Sequence, residues 1–143
     1  MATANVLAGG GPFGAIIVRD DTIIGSGANQ VTLSNDPTAH AEIVAIRNAC
    51  QAVGDFKLDG SVLYTSCEPC PMCLGAIYWA HISRIVFGAS KVDAANAGFD
   101  DSFIYKQFEL DPHHRSIITT CLDLPETDLP FETWKKLESK IEY

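Results

Sequence analysis

Two short segments that carry metal-ligand side chains constrain this chain more than any other feature. His40-Ala41-Glu42 supplies an imidazole and a carboxylate, and Pro69-Cys70-Pro71-Met72-Cys73 supplies two thiols further along the chain. In a regular helix the side chains of His40 and Glu42 would diverge by about 200°. Both can approach one point only where a helix is just beginning. We therefore expect a fold in which two helix starts meet.

The ligand types at these two helix starts favour zinc. One imidazole from His40 and two thiolates from Cys70 and Cys73 are typical zinc ligands, and three protein ligands leave a fourth position open. Two thiolates make the ion a weaker Lewis acid than one held by three histidines, so another group must help to remove a proton from zinc-bound water. Glu42 is the candidate for this general acid/base shuttle, which is typically worth about 10²–10⁴-fold in rate.

The spacing leaves alternatives open for the cysteines. Cys67-Glu68-Pro69-Cys70 is also a C-x-x-C, so spacing alone does not decide which two thiols bind the metal. Helix position and the P-C-x-x-C order favour Cys70 and Cys73, and Cys67 then becomes a buried thiol at the end of a strand. A closed structural zinc site with His40 and all three cysteines would leave Glu42 without a role. A redox C-x-x-C would not need the His40 segment.

Length and charge limit the class of protein. A chain of 143 residues predicts a single domain, residues 1–143. Its apolar runs are much shorter than the roughly 20 residues that cross a bilayer, and its first eleven residues contain no Lys or Arg. We therefore expect a cytoplasmic protein without membrane contact. The net charge of −8 disfavours nucleic acid as a partner and favours a small, uncharged substrate.

The pattern of apolar residues predicts an α/β fold. Apolar runs predict four strands and a possible fifth, at residues 13–18, 22–27, 62–65, 84–88 and 116–121. Ile43, Ile46, Cys50 and Val53 recur at helical spacing and predict a helix that ends near Gly54. Further helices are predicted from Pro71 and over residues 131–141. The alternation predicts an antiparallel hairpin followed by parallel pairing.

The sequence resembles the cytidine-deaminase-like zinc deaminases, whose signature is H-x-E with P-C-x-x-C. Within that superfamily it resembles the bacterial guanine deaminases, from about Gly10 to Tyr143. The resemblance rests on residues 10–15, 35–42, 65–73, 75–79 and 98–105. The zinc motif marks the superfamily, and residues 98–105 point to guanine. Most of the family's first helix is missing from the sequence.

The resemblance implies a three-layer α-β-α fold with a five-stranded mixed sheet flanked by helices. It also implies one zinc ion per subunit and hydrolysis of guanine, a small purine base, to xanthine and ammonia. Asn29 and Asp101 would hydrogen-bond the purine, and Phe13 and Trp79 would pack on its ring. Both Asp100 and Asp101 could instead merely turn the chain. Tyr143 would lie near a purine pocket, in similar enzymes that of the partner in an exchanged homodimer.

Other functions remain compatible with the sequence. Guanosine or cytosine deamination would use the same zinc site. A tRNA adenosine deaminase shares its motifs, although the acidic composition disfavours an RNA substrate. The alternative outside enzymes is a structural zinc-binding module.

Overall fold

The computed structural model describes all 143 residues, from Met1 to Tyr143. The helices and strands follow in this order: α1 (Ala2–Leu7), β1 (Gly14–Arg19), β2 (Thr22–Ala28), α2 (Val31–Ser34), α3 (Ala41–Val53), β3 (Val62–Cys67), α4 (Pro71–Trp79), β4 (Arg84–Ala89), α5 (Lys91–Asn96), α6 (Ser102–Glu109), a 3₁₀-helix (Pro112–His114) and α7 (Leu129–Lys136). None of the helices combines the length and the apolar character that crossing a bilayer requires.

The chain divides into two compact units, Met1–Phe103 and Ile104–Tyr143. The first unit contains the whole sheet and helices α1 to α5. The second contains most of α6, the 3₁₀-helix and α7, which begins two residues before the predicted Phe131 and ends at Lys136 because Leu137 is extended. The single domain over residues 1–143 stays a prediction.

The sheet is mixed and has four strands in the order β2-β1-β3-β4. Strand β1 is antiparallel to both β2 and β3, whereas β3 and β4 are parallel. The prediction of a fifth strand, and with it of a five-stranded sheet, is wrong, because residues 116–121 form neither helix nor strand. Ile117 and Ile118 in that segment are 79% and 93% exposed. Strand-forming residues make a strand only where a neighbouring strand completes their backbone hydrogen bonds.

Helix α3 packs on β2 at very short range. Ala41, Ala45 and Ala49 form a fully buried stripe along α3, and they face Gly25 and Gly27 of β2. A Cβ on Gly25 would lie 2.6 Å from the Ala45 carbonyl oxygen, so only glycine allows this approach. The apolar periodicity pointed instead to larger side chains, of which Ile43 and Ile46 are buried. This contact holds the start of α3 against the sheet.

Candidate metal centre and catalytic site

The functional segments lie at one end of the strands of the sheet. The start of β1 pairs with the end of β2, where Gly14 lies opposite Ala28. Because β1 is antiparallel to β3, the same edge also holds the end of β3 at Cys67, which is paired with Ala89 at the end of β4. Helix α4 leaves from this edge. The carboxyl ends of three strands thus meet where a ligand site is expected in an α/β sheet.

Two of the sequence-predicted ligands are the N-cap residues of their helices. His40 precedes α3 with an extended backbone, and Cys70 precedes α4 in the same conformation, followed by Pro71 in the first turn. Proline is favoured there because its missing N–H has no partner in a helix anyway. Cys73 lies in the first turn of α4. Both helix starts direct their partial positive charge at the thiolates.

The three side chains converge as a zinc site requires. The Nδ1 atom of His40 lies 3.5 Å from the Sγ atoms of both Cys70 and Cys73, and the three ligand atoms lie within 4.8 Å of one another. A tetrahedral zinc with Zn–S of about 2.3 Å and Zn–N of about 2.05 Å separates nitrogen from sulfur by about 3.6 Å. The donor set and its spacing therefore fit zinc.

The charges of the three ligands also fit a dication. A hydrogen bond from Cys73 lowers the pKa of Cys70 to about 4. The same hydrogen bond, with burial, raises the pKa of Cys73 above that of an ordinary thiol, and the Cys70 thiolate raises the pKa of His40. The two pKa shifts favour the thiolate form of Cys70 and the thiol form of Cys73. A bound cation would favour the thiolate form of both.

Glu42 is buried beside the ligands, with only 5% of its surface exposed. Its Oε2 lies 3.4 Å from the Cys73 Sγ, and its Oε1 accepts a hydrogen bond of 3.2 Å from the Thr65 hydroxyl. Burial raises the pKa of Glu42, and its hydrogen bonds only partly oppose this. A carboxyl group with a raised pKa can both take and return a proton near neutral pH.

Cys67 stays outside the metal cluster. It is buried at the end of β3, and its thiol points at the Ser90 carbonyl oxygen at 3.5 Å. The following Glu68 is held on both sides, since its main-chain N–H donates to Ala89 and its carboxylate accepts from the Lys91 N–H. These bonds fix the segment that presents Cys70. With three protein ligands the cluster keeps a fourth position, as catalytic zinc sites do.

Asn29 and Phe13 lie together at the open end of the β1–β2 hairpin. The Asn29 N–H donates to the Phe13 carbonyl oxygen at 3.1 Å, and Asn29 is 7% exposed. The next residue, Gln30, donates to the carbonyl of Ala39, directly before His40. The rings of Phe13 and Phe99 form a T-shaped pair, with 5.0 Å between their centroids. The structure thus brings Asn29 and Phe13 to the edge that carries the ligands.

Asp100 and Asp101, which are adjacent in the chain, have different surroundings. Asp100 accepts a hydrogen bond from the Ser102 N–H two residues on, an Asx-turn that leads the chain into α6. Partial burial, and then the negative charge of the Cys70 thiolate, raises the pKa of Asp101. The carboxylate of Asp101 is therefore within electrostatic reach of the ligand cluster.

Trp79 and Tyr143 are placed differently. Trp79 is the last residue of α4, six residues beyond Cys73 and hence about 9 Å further along the helix axis. Its side chain is 65% exposed, and Tyr143 in the second unit is 73% exposed. The contacts of both residues with a purine stay predictions.

Thr65 is the residue of this site that the sequence interpretation did not identify. Its signal is a polar residue at an inward position of β3, between the buried Leu63 and Cys67. Alternation in a strand makes such a position readable, but its partner is 23 residues away in the chain.

The comparisons with known proteins agree with this geometry. The family described as the cytidine and deoxycytidylate deaminase zinc-binding region matches residues 1–89. The guanine deaminase of Bacillus subtilis is 54% identical over 100% of this chain and 92% of its own length. A crystal structure of that enzyme superposes with a TM-score of 0.97, covering 99% of this chain and 91% of the other, at 55% identity.

Two further relatives match over shorter lengths. A guanine deaminase structure from Nitrosomonas europaea is 36% identical, covers 70% of this chain and 59% of its own, and has a TM-score of 0.66. A tRNA-specific adenosine deaminase of Buchnera aphidicola is 47% identical over 62% of this chain and 55% of its own length. The chain therefore belongs to the zinc-binding cytidine and deoxycytidylate deaminase family, in the group of the bacterial guanine deaminases.

Proposed function

We propose that this protein hydrolyses guanine to xanthine and ammonia. The observation that carries the chemistry is a cluster of three protein ligands with the buried Glu42 beside it. A structural zinc module would need no buried acid with a raised pKa next to an open position. The choice of guanine is supported by the likeness to the Bacillus subtilis guanine deaminase, which extends over the whole chain.

His40, Cys70 and Cys73 would hold the zinc ion. When bound, zinc supplies a Lewis acid that lowers the pKa of water to near neutrality. Glu42 would take the first proton of the attacking water and pass it to a ring nitrogen of the purine. It would then take the second proton from the hydroxyl group formed on the purine carbon and pass it to the amine, which departs as ammonia. Its raised pKa suits both directions of transfer. The buried position excludes bulk water from the carboxylate and so keeps the proton within the site.

Asn29 and Asp101 would select the base. A carboxylate only accepts hydrogen bonds, so Asp101 suits the ring N–H and amino edge of guanine, whereas adenine has no N–H at the equivalent ring position. Partial burial and then the negative charge of Cys70 raise the pKa of Asp101, and this electrostatic coupling supports a role of Asp101 beside the ligand cluster. Phe13, held by Phe99, and Trp79 would pack on or beside the purine ring.

One assay separates guanine from the rival substrates. The zinc-loaded protein is incubated separately with guanine, guanosine, cytosine, adenine and a tRNA anticodon stem, and ammonia is followed. We expect release from guanine, and its absence would reject the proposal. Release from the anticodon stem instead would identify a tRNA deaminase. Asp101→Asn should lower kcat/KM on guanine by about 10- to 100-fold, as expected for a hydrogen bond to a charged group. Asp100→Asn, which keeps a side-chain oxygen for the Ser102 N–H, is the matched control and should leave kcat/KM near the wild-type value.

We further propose a homodimer in which C-terminal segments are exchanged and Tyr143 approaches the partner's purine pocket. The second unit presents large apolar side chains to solvent, including Ile117, Ile118 and Phe131 at 79%, 93% and 65% exposure. Exposed apolar surface of this extent is typical of an interface. The cytoplasmic location also stays a prediction.

Sedimentation at micromolar concentration tests the homodimer, and a monomer would contradict it. Complementation tests the exchange. Glu42→Gln and Tyr143→Ala chains are coexpressed, so that a mixed dimer has one site in which both residues are intact. We expect the mixture to recover activity that neither variant has alone. No recovery would mean that Tyr143 acts in its own subunit or not at all.

A further inference from the structure

Thr65 carries a buried hydroxyl that the fold itself does not require. Strand β3 lies between β1 and β4, and its inward side chains are Leu63, Thr65 and Cys67, all buried. Valine has nearly the shape of threonine, favours strands and needs no hydrogen-bond partner when buried. Thr65 is 7% exposed, so a hydroxyl at this position is best explained by the group that it contacts.

That group is the carboxylate of Glu42. The Thr65 hydroxyl lies 3.2 Å from Oε1, while Oε2 lies 3.4 Å from the Sγ of Cys73. The two carboxylate oxygens thus have different neighbours. Oε1 faces the sheet and Oε2 faces the metal ligands.

The carboxylate needs such an anchor. The terminal torsion of a glutamate is broad, so the ligands alone do not fix its rotation. A group that transfers protons must keep its oxygen within about 2.6–3.2 Å of the heavy atom that carries the proton. Thr65 is suited to hold it, because β3 is hydrogen-bonded on both sides, with Thr65 opposite Ala15 and Phe87. Groups on rigid strands hold a site more accurately than groups on loops.

We propose that Thr65 is a positioning residue for Glu42, and that its hydroxyl holds Oε1 so that Oε2 faces the reacting water and purine. This inference rests on the deaminase function proposed above. Thr65 is not one of the three metal-ligand residues, and in this proposal it acts through Glu42.

Two substitutions at Thr65 separate the hydroxyl from the shape of the side chain. Thr65→Val removes the hydroxyl and keeps the branched side chain, and we expect kcat to fall by about 10- to 100-fold, the loss typical for partners that orient a site. KM should stay within about two-fold, since positioning of the proton acceptor acts on the chemical step. Thr65→Ser keeps the hydroxyl and should recover most of kcat. Thr22→Val on β2, where the hydroxyl bonds only Asp20 of the adjoining turn, is the control and should match the wild type.

Zinc content and the absorption spectrum of the cobalt-substituted protein should be unchanged in Thr65→Val. A lost metal or an altered spectrum would mean that Thr65 supports the ligands, and would overturn the proposal. A wild-type kcat in Thr65→Val, or equal losses in the valine and serine variants, would overturn it as well.

A crystal structure of zinc-loaded Thr65→Val tests the inference independently of the substrate. We expect the Glu42 carboxylate to rotate away from its wild-type orientation, and an unchanged orientation would overturn the proposal. If the wild type releases no ammonia from guanine, the proposed function fails, and the crystal structures still decide the role of Thr65.

Discussion

Gly27→Ala tests whether the close approach of α3 to the sheet holds the metal centre. The added Cβ would lie 2.5 Å from the Ala45 nitrogen, and it would also meet the carbonyl oxygen of Ala41. Both are main-chain atoms of α3, so neither can rotate out of the way. Since real Cβ contacts are not shorter than 3.0 Å, the helix must move by at least 3.0 − 2.5 = 0.5 Å.

The energy follows from two opposing effects. Overpacking costs about 1–3 kcal/mol, and fixed main-chain neighbours place this site at the upper end. Replacing glycine in a strand returns about 0.5–1 kcal/mol through the unfolded state. We expect a net loss of about 2 kcal/mol, which lowers the urea midpoint by about 1 M at a typical slope of about 2 kcal/mol per M.

The same shift should reach the metal ligands. Ala41 follows His40, and ligand distances in a zinc site are expected to lie within about 0.2 Å of their standard values. We therefore expect Gly27→Ala to weaken zinc binding at least about 10-fold, as substitutions that disturb ligand orientation do. Urea unfolding followed by circular dichroism and competition with a zinc chelator measure the two effects.

Gly75→Ala is the matched control. Gly75 lies inside α4, and a Cβ there would meet nothing within 4 Å. This substitution should raise the stability by up to about 1 kcal/mol, the difference in helix propensity. A Gly27→Ala protein as stable as the wild type would refute the packing reasoning. Lower stability with unchanged zinc affinity would refute the link from α3 to the site.

Three further outcomes follow from the charges at the site. Glu42→Gln should keep one zinc per chain by elemental analysis and lose about 10²–10⁴-fold in kcat; loss of zinc would make Glu42 a ligand. Zinc binding at pH 7 should release between one and two protons, one from Cys73 and a further fraction from His40, since both pKa values are raised. Calorimetry in buffers of different ionisation enthalpy measures the number, and zero release would contradict the raised pKa of Cys73. The folded-state pKa of Glu42 is raised, so its stabilisation is complete below the ordinary glutamate pKa of about 4.3 and is lost as pH rises through the folded value. The stability of the zinc-free Glu42→Gln protein should therefore rise relative to that of the wild type as pH increases across that window. A difference between the two urea midpoints that stays constant with pH would contradict this.

The zinc ligands could be predicted from the sequence because their geometry is local. Helix starts are marked by short-range signals, of which Pro71 after Cys70 is one, and the structure has both ligands as N-caps. That position also separates Cys73, in the first turn of α4, from Cys67 at the end of β3. Local sequence signals were sufficient for these ligands because each helix start is determined by residues within about one turn of it.

The missed features depend on pairs that are distant in the chain. The isoleucines of residues 116–121 favour a strand, but no strand pairs with them. The alanine stripe of α3 is invisible to a search for large apolar residues, because small residues matter only when Gly25 and Gly27 lie opposite. Thr65 is likewise an ordinary strand residue until Glu42 is placed beside it.

The β1–β2 hairpin makes the two tasks of the site separable in evolution and in engineering. The proposed base contacts Phe13 and Asn29 lie at its open end, whereas the ligands and Glu42 lie at the starts of α3 and α4. Its turn, at Asp20 and Asp21 with φ of 50° and 57°, is at the other end of the strands. A graft of this hairpin from a relative with another base preference would thus exchange the proposed base contacts Phe13 and Asn29 while Asp101 and the metal ligands stay in place, provided that Gly25 and Gly27 are retained.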